Sequence, residues 1–585
     1  MHVLGLSFFY HDSAAALVRD GALVAAAEEE RFSRKKHDSE FPAQAIRYCL
    51  DEAGIDIADV DHIGFYEKPL VKFLRIVETC LAGWPWTYGT WVKSMPVWLR
   101  SKIRAGKIIQ ERLGTDREIL FCEHHLSHAA SAFLVSPFEE AAILTMDGVG
   151  EWTTTAHGVG RGTRMEFGEE IRFPHSIGLL FSAITAYLGF KVNDAEWKVM
   201  GLAPYGKPRF LDKFREVVDA RPDGSFRLRM EYFAHHHSTR SMLSRRWERH
   251  FGAPRRRPET ELTQFHYDVA CSGQKMVEEL VLNLARALEK RYRTPNLCIA
   301  GGVGLNCVAN WKIREETGFK NIFIQPAAGD SGGAIGTAFH IYNTLLGNPR
   351  TFVMRHAHFG PGFGNDAIRS VLDRQGTPYD EVGDDELLER TARMLAAGKI
   401  VGWFQGRMEF GPRALGARSI LADPRDPKVK DRINAKVKFR EWFRPFAPAV
   451  LEERAHEYFE MPRGMSLPFM LMVPRVRAEK RALLPGVTHE DGTGRVQTLT
   501  AELNGRFHGL VERFGRITGV PIVVNTSFNV RGEPIVCTPE DAFRTFQSTG
   551  LDALIIGNFI VTAKSAPVDF EAGLQRSVEL ESAPG

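Results

Sequence analysis

The chain has few cysteines and no arrangement that would use them. Its seven cysteines are scattered, none of them forms a Cys-x-x-Cys pair, and an odd number is a poor basis for a disulfide framework. This usage is typical of a reduced, intracellular protein. The amino terminus lacks the cationic segment and cleavage site of a secretory signal, and no apolar run approaches the ~20 residues of a membrane span. We therefore expect a cytoplasmic protein without a membrane partner.

The sequence also lacks a strong net charge. Its 75 Lys and Arg residues against 72 Asp and Glu residues leave a formal charge of +3, which argues against nucleic acid as a partner. One local exception is the Arg-rich segment 245–257, which we interpret as a solvated loop or as a site for an anionic partner. With 585 residues, 44% of them hydrophobic, the chain has the size of a soluble enzyme with two or more domains. The sequence leaves the oligomeric state open.

Two segments of the first half repeat one pattern of strands and turns. An apolar strand from His2 to Phe9 precedes a hairpin whose turn contains Asp20 and Gly21. Further on, the apolar strand 141–146 runs into a Gly-rich turn and an alternating segment. Helical spacing covers residues 41–54, 262–293 and 332–345. The repetition predicts a duplicated α/β domain with a nucleotide held between its halves.

A second domain is expected after a breaker cluster at Gly347-Asn348-Pro349. The residues that follow have little periodicity, so we place the first domain at 1–350 and a linker at 351–384. Alternating helix and strand patterns then predict an α/β domain at 385–570. Residues 571–585 are interpreted as a loosely ordered tail.

The sharpest local signal is the pair His124 and His128. Residues four apart share one face of a helix, so the two imidazoles can bind one metal ion, although such spacing also occurs without a ligand. Asp147 follows an apolar strand and Asp330 begins a predicted helix, with a helix cap as the alternative for Asp330. Two histidines with two carboxylates suit divalent iron, manganese or zinc.

Two strand ends carry groups that suit a nucleotide. Gly301, Gly302 and Val303 follow the strand 297–300, where glycines let the backbone approach a ligand or simply form a tight turn. The strand 521–524 is followed by short polar side chains, which bond a nucleotide or form turns: Asn525, Ser527 and Asn529.

A cation-rich region lies in the second half. Residues 405–418 combine glycines with three arginines, and Lys438, Arg440 and Arg444 follow closely. The guanidinium fork binds phosphate or carboxylate in a bidentate manner, and Lys adds a point charge. We interpret the region as an anion site, with a solvated or ion-paired loop as the alternative.

Taken together, these motifs resemble the NodU/CmcH family of carbamoyltransferases over nearly the whole chain. The segments that carry the likeness are GLSFFYHDSAAAL (5–17), EEERFSRKKHD (28–38), HHLSHAASAF (124–133), EWKVMGLAPYG (196–206), GGVGLN (301–306), PAAGDSGGAIG (326–336), RMEFGPRALGARSI (407–420) and NTSFNVRGEPIV (525–536). The resemblance implies an actin-like amino-terminal domain, similar to that of the universal tRNA threonylcarbamoyl transferase, and a YrdC-like carboxy-terminal domain.

The resemblance also implies roles for individual residues. Those that match the metal ligands, with Fe²⁺ as the expected ion, are His124, His128, Asp147 and Asp330. Those that match the KxR and SxN pairs of YrdC are Lys438, Arg440, Ser527 and Asn529. His11 and Lys36 match positions that face the acceptor and carbamoyladenylate in the amino-terminal domain. We expect catalytic roles for His11, Lys36, Arg418, Lys438 and Arg440, and nucleotide contacts from Gly301, Gly302, Val303, Asn306, Arg407, Arg444, Asn525, Ser527 and Asn529.

The implied reaction has two steps in two domains. The carboxy-terminal domain makes carbamoyladenylate from carbamoyl phosphate and ATP, with Mg²⁺ as a compatible companion of ATP. The amino-terminal domain then passes the carbamoyl group to a hydroxyl of a natural-product or sugar acceptor. An actin-like small-molecule kinase or ATPase is the alternative, but a kinase would not need the Lys438 set. The aromatic segment 84–98 either lines an acceptor pocket or packs on the exterior.

Overall fold

The computed structural model describes residues 1–564 and, beyond them, residues 568, 570, 571, 575 and 579. The chain divides into two compact units, one of residues 1–26 and 39–354, the other of residues 27–38 and 355–585. The sequence analysis instead placed 27–38 in the amino-terminal domain. Most of the tail expected at 571–585 lies outside the described residues.

The first sheet of the first unit explains the first strand pattern. Its strands are β1 (His2–Ser7), β2 (Ala14–Arg19), β3 (Ala22–Glu28), β4 (His62–Phe65) and β5 (Ile119–Phe121). Their order is β3-β2-β1-β4-β5, with β1 antiparallel to β2 and parallel to β4. Asp20 and Gly21 both have positive φ, +48° and +83°, which is the backbone that a two-residue hairpin turn requires. The predicted hairpin is confirmed.

The second sheet repeats this topology. The next strands are β6 (Glu140–Met146), β7 (Thr153–Arg161), β8 (Arg164–Arg172), a separate ribbon of β9 (Val218–Ala220) and β10 (Phe226–Leu228), β11 (Asn296–Ala300) and β12 (Asn321–Ile324). The sheet order is β12-β11-β6-β7-β8. Strand β6 is antiparallel to β7 and parallel to β11, as β1 is to β2 and β4. The duplicated, actin-like α/β fold predicted for this half is therefore confirmed.

The helices of the chain begin with α1 (Glu30–Ser33), which lies in the segment 27–38. Those of the first unit are α2 (Ala43–Ala53), α3 (Pro69–Ala82), α4 (Tyr88–Arg100), α5 (Ala105–Leu113), α6 (His124–Phe133), α7 (Ile177–Tyr187), α8 (Glu196–Leu202), α9 (Leu211–Val217), α10 (Arg245–Phe251), α11 (Gln264–Tyr292), α12 (Cys307–Glu316) and α13 (Asp330–Phe339). Helix α10 corrects the loop interpretation for residues 245–251, where Trp247 and Phe251 are buried one turn apart, whereas residues 252–257 lie outside any helix or strand.

Two helices of this unit pack unusually closely. Glycines on α13 or facing it permit the approach, because a Cβ on Gly336 would lie 1.8 Å from the backbone oxygen of Ser127 on α6. A Cβ on Gly5 of β1 would likewise lie 2.0 Å from the oxygen of Ala334. Contacts this short exclude any side chain larger than hydrogen. The amino-terminal ends of α6 and α13 are thereby held close together.

The second unit is built on one mixed eight-stranded sheet. Its strands are β13 (Asp380–Glu381), β14 (Val401–Phe404), β15 (Arg418–Ala422), β16 (Ala447–Leu451), β17 (Gln497–Leu499), β18 (Ile522–Ser527), β19 (Ala553–Ile556) and β20 (Phe559–Val561). Their order is β13-β20-β19-β14-β15-β18-β16-β17. Its helices are α14 (Asn365–Arg374), α15 (Asp384–Ala396), α16 (Val429–Ile433), α17 (Glu452–Ala455), α18 (Ala501–Thr518) and α19 (Pro539–Gln547). The expected second α/β domain is present.

The segment expected to be a linker contains α14. Its buried residues Ile368, Val371 and Leu372 recur at helical spacing, which is a signal that the sequence did carry. Helices α15 and α18 pack over the sheet and bury Leu387 and Phe514 in one cluster with Trp403 of β14. This core holds β14 and β18 in place, and with them the polar residues that follow these strands at the edge of the sheet.

Two further properties concern the membrane and the redox environment that the sequence analysis considered. No helix of the described residues combines the length and the apolar character needed to cross a bilayer. None of the seven cysteines, all of which lie in the described part of the chain, forms a disulfide bond. All seven are buried, and burial raises the pKa of Cys122 and Cys298.

Candidate metal centre and cation cluster

Four side chains of the first unit converge on one point. His124 and His128 come from α6, Asp147 follows β6, and Asp330 is the first residue of α13. One ligand atom from each lies within 4.8 Å of all the others. His124 Nε2 is 3.0 Å from Asp147 Oδ2 and 3.7 Å from Asp330 Oδ1. The structure thus brings together the four residues that the sequence analysis proposed as metal ligands.

The donor atoms of this cluster fit a divalent metal ion. The Nε2 atoms of His124 and His128 lie 3.1 Å apart, and the Nδ1 atom of each ring is buried without a hydrogen-bond partner among the described residues. Two imidazole nitrogens that face each other at this distance repel unless a proton or a shared cation lies between them. The buried carboxylate of Asp330 and the partly buried one of Asp147 complete a mixed nitrogen and oxygen set, which suits a divalent transition metal.

The electrostatics of the cluster keep its carboxylates ionised. Burial disfavours their charged form, but His124 and His128 hold the pKa of Asp147 well below its usual value. The pKa of Asp330 is also lowered in spite of burial. Burial disfavours a charged imidazole, yet the carboxylates of Asp147 and Asp330, 3.8 and 3.7 Å from its Nε2, raise the pKa of His128 to about 9. The two carboxylates therefore place negative charge at this centre, and protons on the histidines compensate it. A metal cation can take the place of those protons.

Neighbouring groups orient the ligands. The backbone N–H of Gly302 donates to Asp147 Oδ1 at 3.0 Å, and the Tyr66 hydroxyl donates to Asp330 Oδ2 at 3.3 Å. The carboxylate of Glu151 accepts the backbone N–H of His124, with both oxygens at 3.1 Å. Such contacts fix the direction in which a ligand presents its lone pair. Sequence reasoning missed Tyr66 and Glu151, since neither lies in a motif with a chemical signature.

The glycine motif expected at a nucleotide lies beside the metal ligands. Gly301 has a φ of +87°, and a Cβ there would lie 2.2 Å from the backbone oxygen of Met146. Val303 is buried in the turn that follows. Asn306 caps α12 by accepting the N–H of Ala309, and its amide donates to Gln274 Oε1 at 3.1 Å. Asn306 therefore stabilises the start of α12, and Gly301 and Gly302 help to position Asp147.

His11 lies in the field of the same carboxylates. Its Nδ1 is 2.9 Å from Asp12 Oδ2. Burial lowers its basicity, but the charges of Asp12 and Asp330 outweigh this and raise the pKa of His11 to about 9. The ring is therefore protonated while the carboxylates carry their full charge, and a cation held by Asp330 would lower that pKa.

Helix α3 contributes two buried cations that sequence reasoning missed. Lys72 is ion-paired with Glu67, and both are almost fully buried. Arg75 is 8% exposed and lies 5.0 Å over the ring of Phe173, while its Nη1 has no hydrogen-bond partner among the described residues. The sequence did carry a signal for these two cations, because Lys72 and Arg75 are three positions apart in an otherwise mostly apolar helix.

In the second unit, Lys438 joins the two polar residues at the end of β18. Its Nζ donates to Ser527 Oγ at 3.0 Å and to Asn529 Oδ1 at 2.7 Å, and also bonds the backbone oxygens of both. Lys438 is 2% exposed. Three of the four residues that match the YrdC-type pairs thus form one hydrogen-bonded group.

Positive charge exceeds negative charge around this group. Burial, reinforced by Arg440 and Arg444, lowers the pKa of Lys438 well below its usual value. Burial and the charge of Arg444 likewise lower the pKa of Arg440, whose Nε donates to Asn434 Oδ1 at 2.7 Å. Arg444 lies 3.7 Å from Glu441. An anion would relieve the repulsion among these cations.

The loop 405–418 uses its polar groups mainly to hold its own shape. Arg418 is fully buried, donates to the backbone oxygens of Gln405 and Pro361, among others, and stacks 3.6 Å from the Phe404 ring centroid. Arg407 donates to the backbone oxygen of Phe359 at 2.7 Å.

Asn525 and Glu409 complete this framework. The amide of Asn525 donates to Gln497 Oε1 at 2.8 Å, and Glu409 Oε1 accepts the N–H groups of Leu415 and Ala417. All three side chains thus take part in a framework of hydrogen bonds, and the catalytic role expected of Arg418 and the nucleotide contacts expected of Arg407 and Asn525 stay predictions.

Lys36 lies in the segment 27–38, which is anchored within the second unit. Arg31 Nη2 donates to the backbone oxygen of Gly411 at 2.9 Å, and Arg34 Nη1 donates to that of Ile535 at 2.6 Å. Lys36 is therefore carried by the second unit, not by the amino-terminal domain as expected.

Comparison with known proteins identifies the family of the chain. The family described as carbamoyltransferase N-terminus matches residues 2–339, and the one described as carbamoyltransferase C-terminus matches residues 392–563. An uncharacterised protein of Synechocystis sp. is 47% identical over 97% of both chains. Nodulation protein NolNO of Sinorhizobium fredii is 39% identical over 95% of this chain and 80% of its own. Nodulation protein U of Rhizobium tropici is 31% identical over 91% of each chain.

Similar solved structures are more distant. The ROK hexokinase from Thermus thermophilus is 18% identical, with 58% of this chain and 98% of that chain covered and a TM-score of 0.29. HypF of T. kodakarensis is 13% identical, with 59% and 48% covered and a TM-score of 0.30.

Proposed function

The chain belongs to the carbamoyltransferase family, and we propose that it carbamoylates a hydroxyl group in two steps. In the first, carbamoyl phosphate, ATP and water give carbamoyladenylate, pyrophosphate and phosphate. In the second, the acceptor oxygen forms a bond to the carbamoyl carbon, AMP leaves, and the hydroxyl proton is released. We assign the first step to the second unit and the second step to the first unit. The acceptor is a small molecule such as a sugar or another natural product.

The cation cluster supports activation in the second unit, and it is the observation that carries the proposal. Lys438 is buried, yet every acceptor that its ammonium contacts is neutral. Such an arrangement gains most from an anionic ligand, because a phosphate replaces the lost solvation of the ammonium group. Lys438, Arg440 and Arg444 would neutralise the phosphates of ATP and carbamoyl phosphate, and Ser527 and Asn529 would hold Lys438 in place.

The histidine and carboxylate cluster supports transfer in the first unit. His124, His128, Asp147 and Asp330 would hold a divalent cation, for which Fe²⁺ is our proposal. When bound, the ion supplies Lewis acidity to oxygens of the carbamoyladenylate. Gly302 and Tyr66 keep the carboxylates directed at the centre.

His11 is the residue that we assign to the proton of the acceptor hydroxyl. Its contact with Asp12 fixes the orientation of the ring, as a general base requires. The charge of Asp12, followed by that of Asp330, raises the pKa of His11, and a cation held by Asp330 would lower that pKa toward the range of a general base. The buried side chains of α3 and α6 would exclude water from the site, so that carbamoyladenylate, a reactive mixed anhydride, is not hydrolysed.

A product analysis tests this proposal. The full chain is incubated with ATP and carbamoyl phosphate, and pyrophosphate is measured with carbamoyl phosphate present and omitted. We expect pyrophosphate only when both substrates are present. Lys438→Met should abolish its release, whereas Lys436→Met, a change at an exposed lysine of the same turn, should not. In a parallel incubation of the chain with ATP and an acceptor alcohol, formation of ADP and a phosphorylated acceptor would instead favour the kinase alternative.

A further inference from the structure

Helices α3 and α4 and the turn between them expose much of the apolar surface of the chain. Of the 21 large apolar side chains that are exposed among the described residues, ten lie between Leu70 and Leu99. Trp84 and Trp86 in the turn are 58% and 81% exposed, which favours the exterior alternative for the aromatic segment 84–98. Large exposed apolar patches usually mark interaction sites. We call residues 70–99 the α3–α4 surface.

These apolar side chains are not exposed because the pair of helices α3 and α4 is loosely attached, since the inner side of the pair packs against the rest of the unit. The rings of Phe73 and Trp98 lie 6.2 Å apart, and Thr90 Oγ1 donates to the backbone oxygen of His237 at 3.2 Å. Lys102, just after α4, donates to the backbone oxygen of Phe9 at 2.6 Å, in the loop that leads to His11. The outward-facing side is therefore held in place by the rest of the unit.

The exposed charges in and beside this surface are mostly positive, because Glu78 on α3 is the one acidic residue between Leu70 and Gln110. From Thr79 to Gln110 the sequence contains no Asp or Glu. It contains five cations, namely Lys93, Arg100, Lys102, Arg104 and Lys107. In a two-fold contact between copies, the same surface meets itself, so its excess of positive charge would be doubled and would oppose the contact. A layer of anionic headgroups attracts the cations instead.

The mixture of side chains is that of an interfacial helix pair. Trp and Tyr prefer the boundary between water and lipid, and helices with Leu and Trp on one side and Lys or Arg on the other lie in its plane. Helix α3 has 14 residues and α4 has 13, which is shorter than the ~20 residues of a spanning helix.

We propose that the α3–α4 surface binds the surface of a membrane that carries anionic lipids. Leu74, Trp84 and Trp86 enter the acyl-chain boundary, and Lys93 and Arg100 contact the phosphates. The sequence analysis expected no membrane partner; this inference concerns binding at the membrane surface alone, since no helix of the described residues could span a bilayer. The inference goes beyond the proposed carbamoyl transfer and does not depend on it.

Co-sedimentation of the full chain with vesicles tests the inference. Vesicles of phosphatidylcholine alone are compared with vesicles that contain about 30% phosphatidylglycerol. We expect binding to the anionic vesicles, at least about tenfold weaker binding without the anionic lipid, and further weakening as salt rises. The assay does not require activity, so its failure would leave the proposed function unaffected.

Two variants and a charge-matched control locate the binding surface. Trp84→Ser with Trp86→Ser removes the aromatic anchors, and Lys93→Gln with Arg100→Gln and Arg104→Gln removes three charges. Each should weaken binding about tenfold or more. The control removes three exposed charges of α10, through Arg245→Gln, Arg246→Gln and Arg249→Gln, and should bind as the unmodified chain does.

Three results would overturn the inference. The first is that the chain fails to sediment with anionic vesicles at low salt. The second is equal loss in the α10 control, which would show non-specific attraction. The third is a dimer in light scattering that Trp84→Ser with Trp86→Ser converts to a monomer, since the surface would then cover a second copy. Because the substituted side chains are exposed, thermal unfolding should be unchanged and confirms that each variant is folded.

Discussion

The Nε2 atoms of His124 and His128 face each other at 3.1 Å in a buried position, with Asp147 Oδ2 3.0 Å from the first. The two histidines are four positions apart along α6, so about one helical turn sets this distance. The carboxylate arrives from a different element, the end of β6. The centre therefore exists only when the helix and the sheet of the first unit are correctly packed, which couples cation binding to folding.

Removal of the Tyr66 hydroxyl should weaken the metal centre without unfolding the chain. Tyr66→Phe deletes the 3.3 Å hydrogen bond to Asp330 Oδ2 and leaves the ring in place. Loss of a group that orients a ligand lowers metal affinity by about tenfold or more. Titration of the metal-free protein with Fe²⁺ or Zn²⁺ measures the change. Tyr379→Phe, which removes a 2.7 Å bond to Asp373 in the second unit, is the control and should leave the affinity unchanged.

Gly301 should tolerate no side chain. Its φ is +87°, and a Cβ would lie 2.2 Å from the backbone oxygen of Met146, so Gly301→Ala should lower the free energy of unfolding by about 2–4 kcal/mol. Urea denaturation measures the loss. Gly89 lies inside α4 with no atom near the position of a Cβ, and Gly89→Ala should instead stabilise by up to about 1 kcal/mol. Equal effects at both positions would contradict the steric account.

Lys438 should make stability depend on pH in one direction. Burial and the charges of Arg440 and Arg444 lower its pKa in the folded chain, whereas the unfolded chain keeps a pKa of about 10.4. Between these values the unfolded chain binds more protons, so the free energy of unfolding rises with pH, by at most about 1.4 kcal/mol per pH unit.

Urea denaturation in phosphate-free buffer from pH 7 to 10 measures this dependence. Lys438→Met should remove the rise that Lys438 causes, and Lys436→Met should retain it. The free energy of unfolding of Lys438→Met is subtracted from that of the wild type at each pH. A difference that is flat, or that falls with pH, would show that the protonated form of Lys438 does not destabilise the folded chain.

Arg75 should lower stability, because its guanidinium is buried and its Nη1 lacks a partner. Replacing it with an apolar side chain of similar length removes the desolvation penalty at the cost of its contact with Phe173. Arg75→Met should therefore raise the free energy of unfolding by about 1 kcal/mol. The exposed Arg112→Met on α5 should change it by less than about 0.5 kcal/mol. A loss of stability in Arg75→Met would mean that the arginine is satisfied in the folded chain.

The parts of the structure that could be predicted depend on local signals. The hairpin at Asp20 and Gly21 follows from two residues that accept positive φ, and the pair on α6 follows from helical spacing. Asp147 could be proposed because strand ends project into clefts. Each of these inferences needs only residues that are close in sequence or a general rule about strand ends.

The parts that could not be predicted depend on distant partners. The donors of Arg418 bond the backbone oxygens of Gln405 and Pro361, and no property of an arginine in the sequence distinguishes such a use from phosphate binding. The placement of Lys36 depends on contacts of its segment with Gly411 and Ile535, hundreds of residues away. The exposure of Trp84 and Trp86 likewise depends on which side of the hairpin the rest of the unit covers.

The separation of two sites is the central claim, and one variant tests it most directly. His124→Ala removes a ligand of the centre in the first unit and leaves the cluster around Lys438 intact. With ATP, carbamoyl phosphate and an accepted hydroxyl compound, the variant should lose carbamoyl transfer and bound metal, yet release pyrophosphate at a rate close to that of the unmodified chain. Loss of pyrophosphate release together with transfer, in a variant that remains folded, would contradict the account.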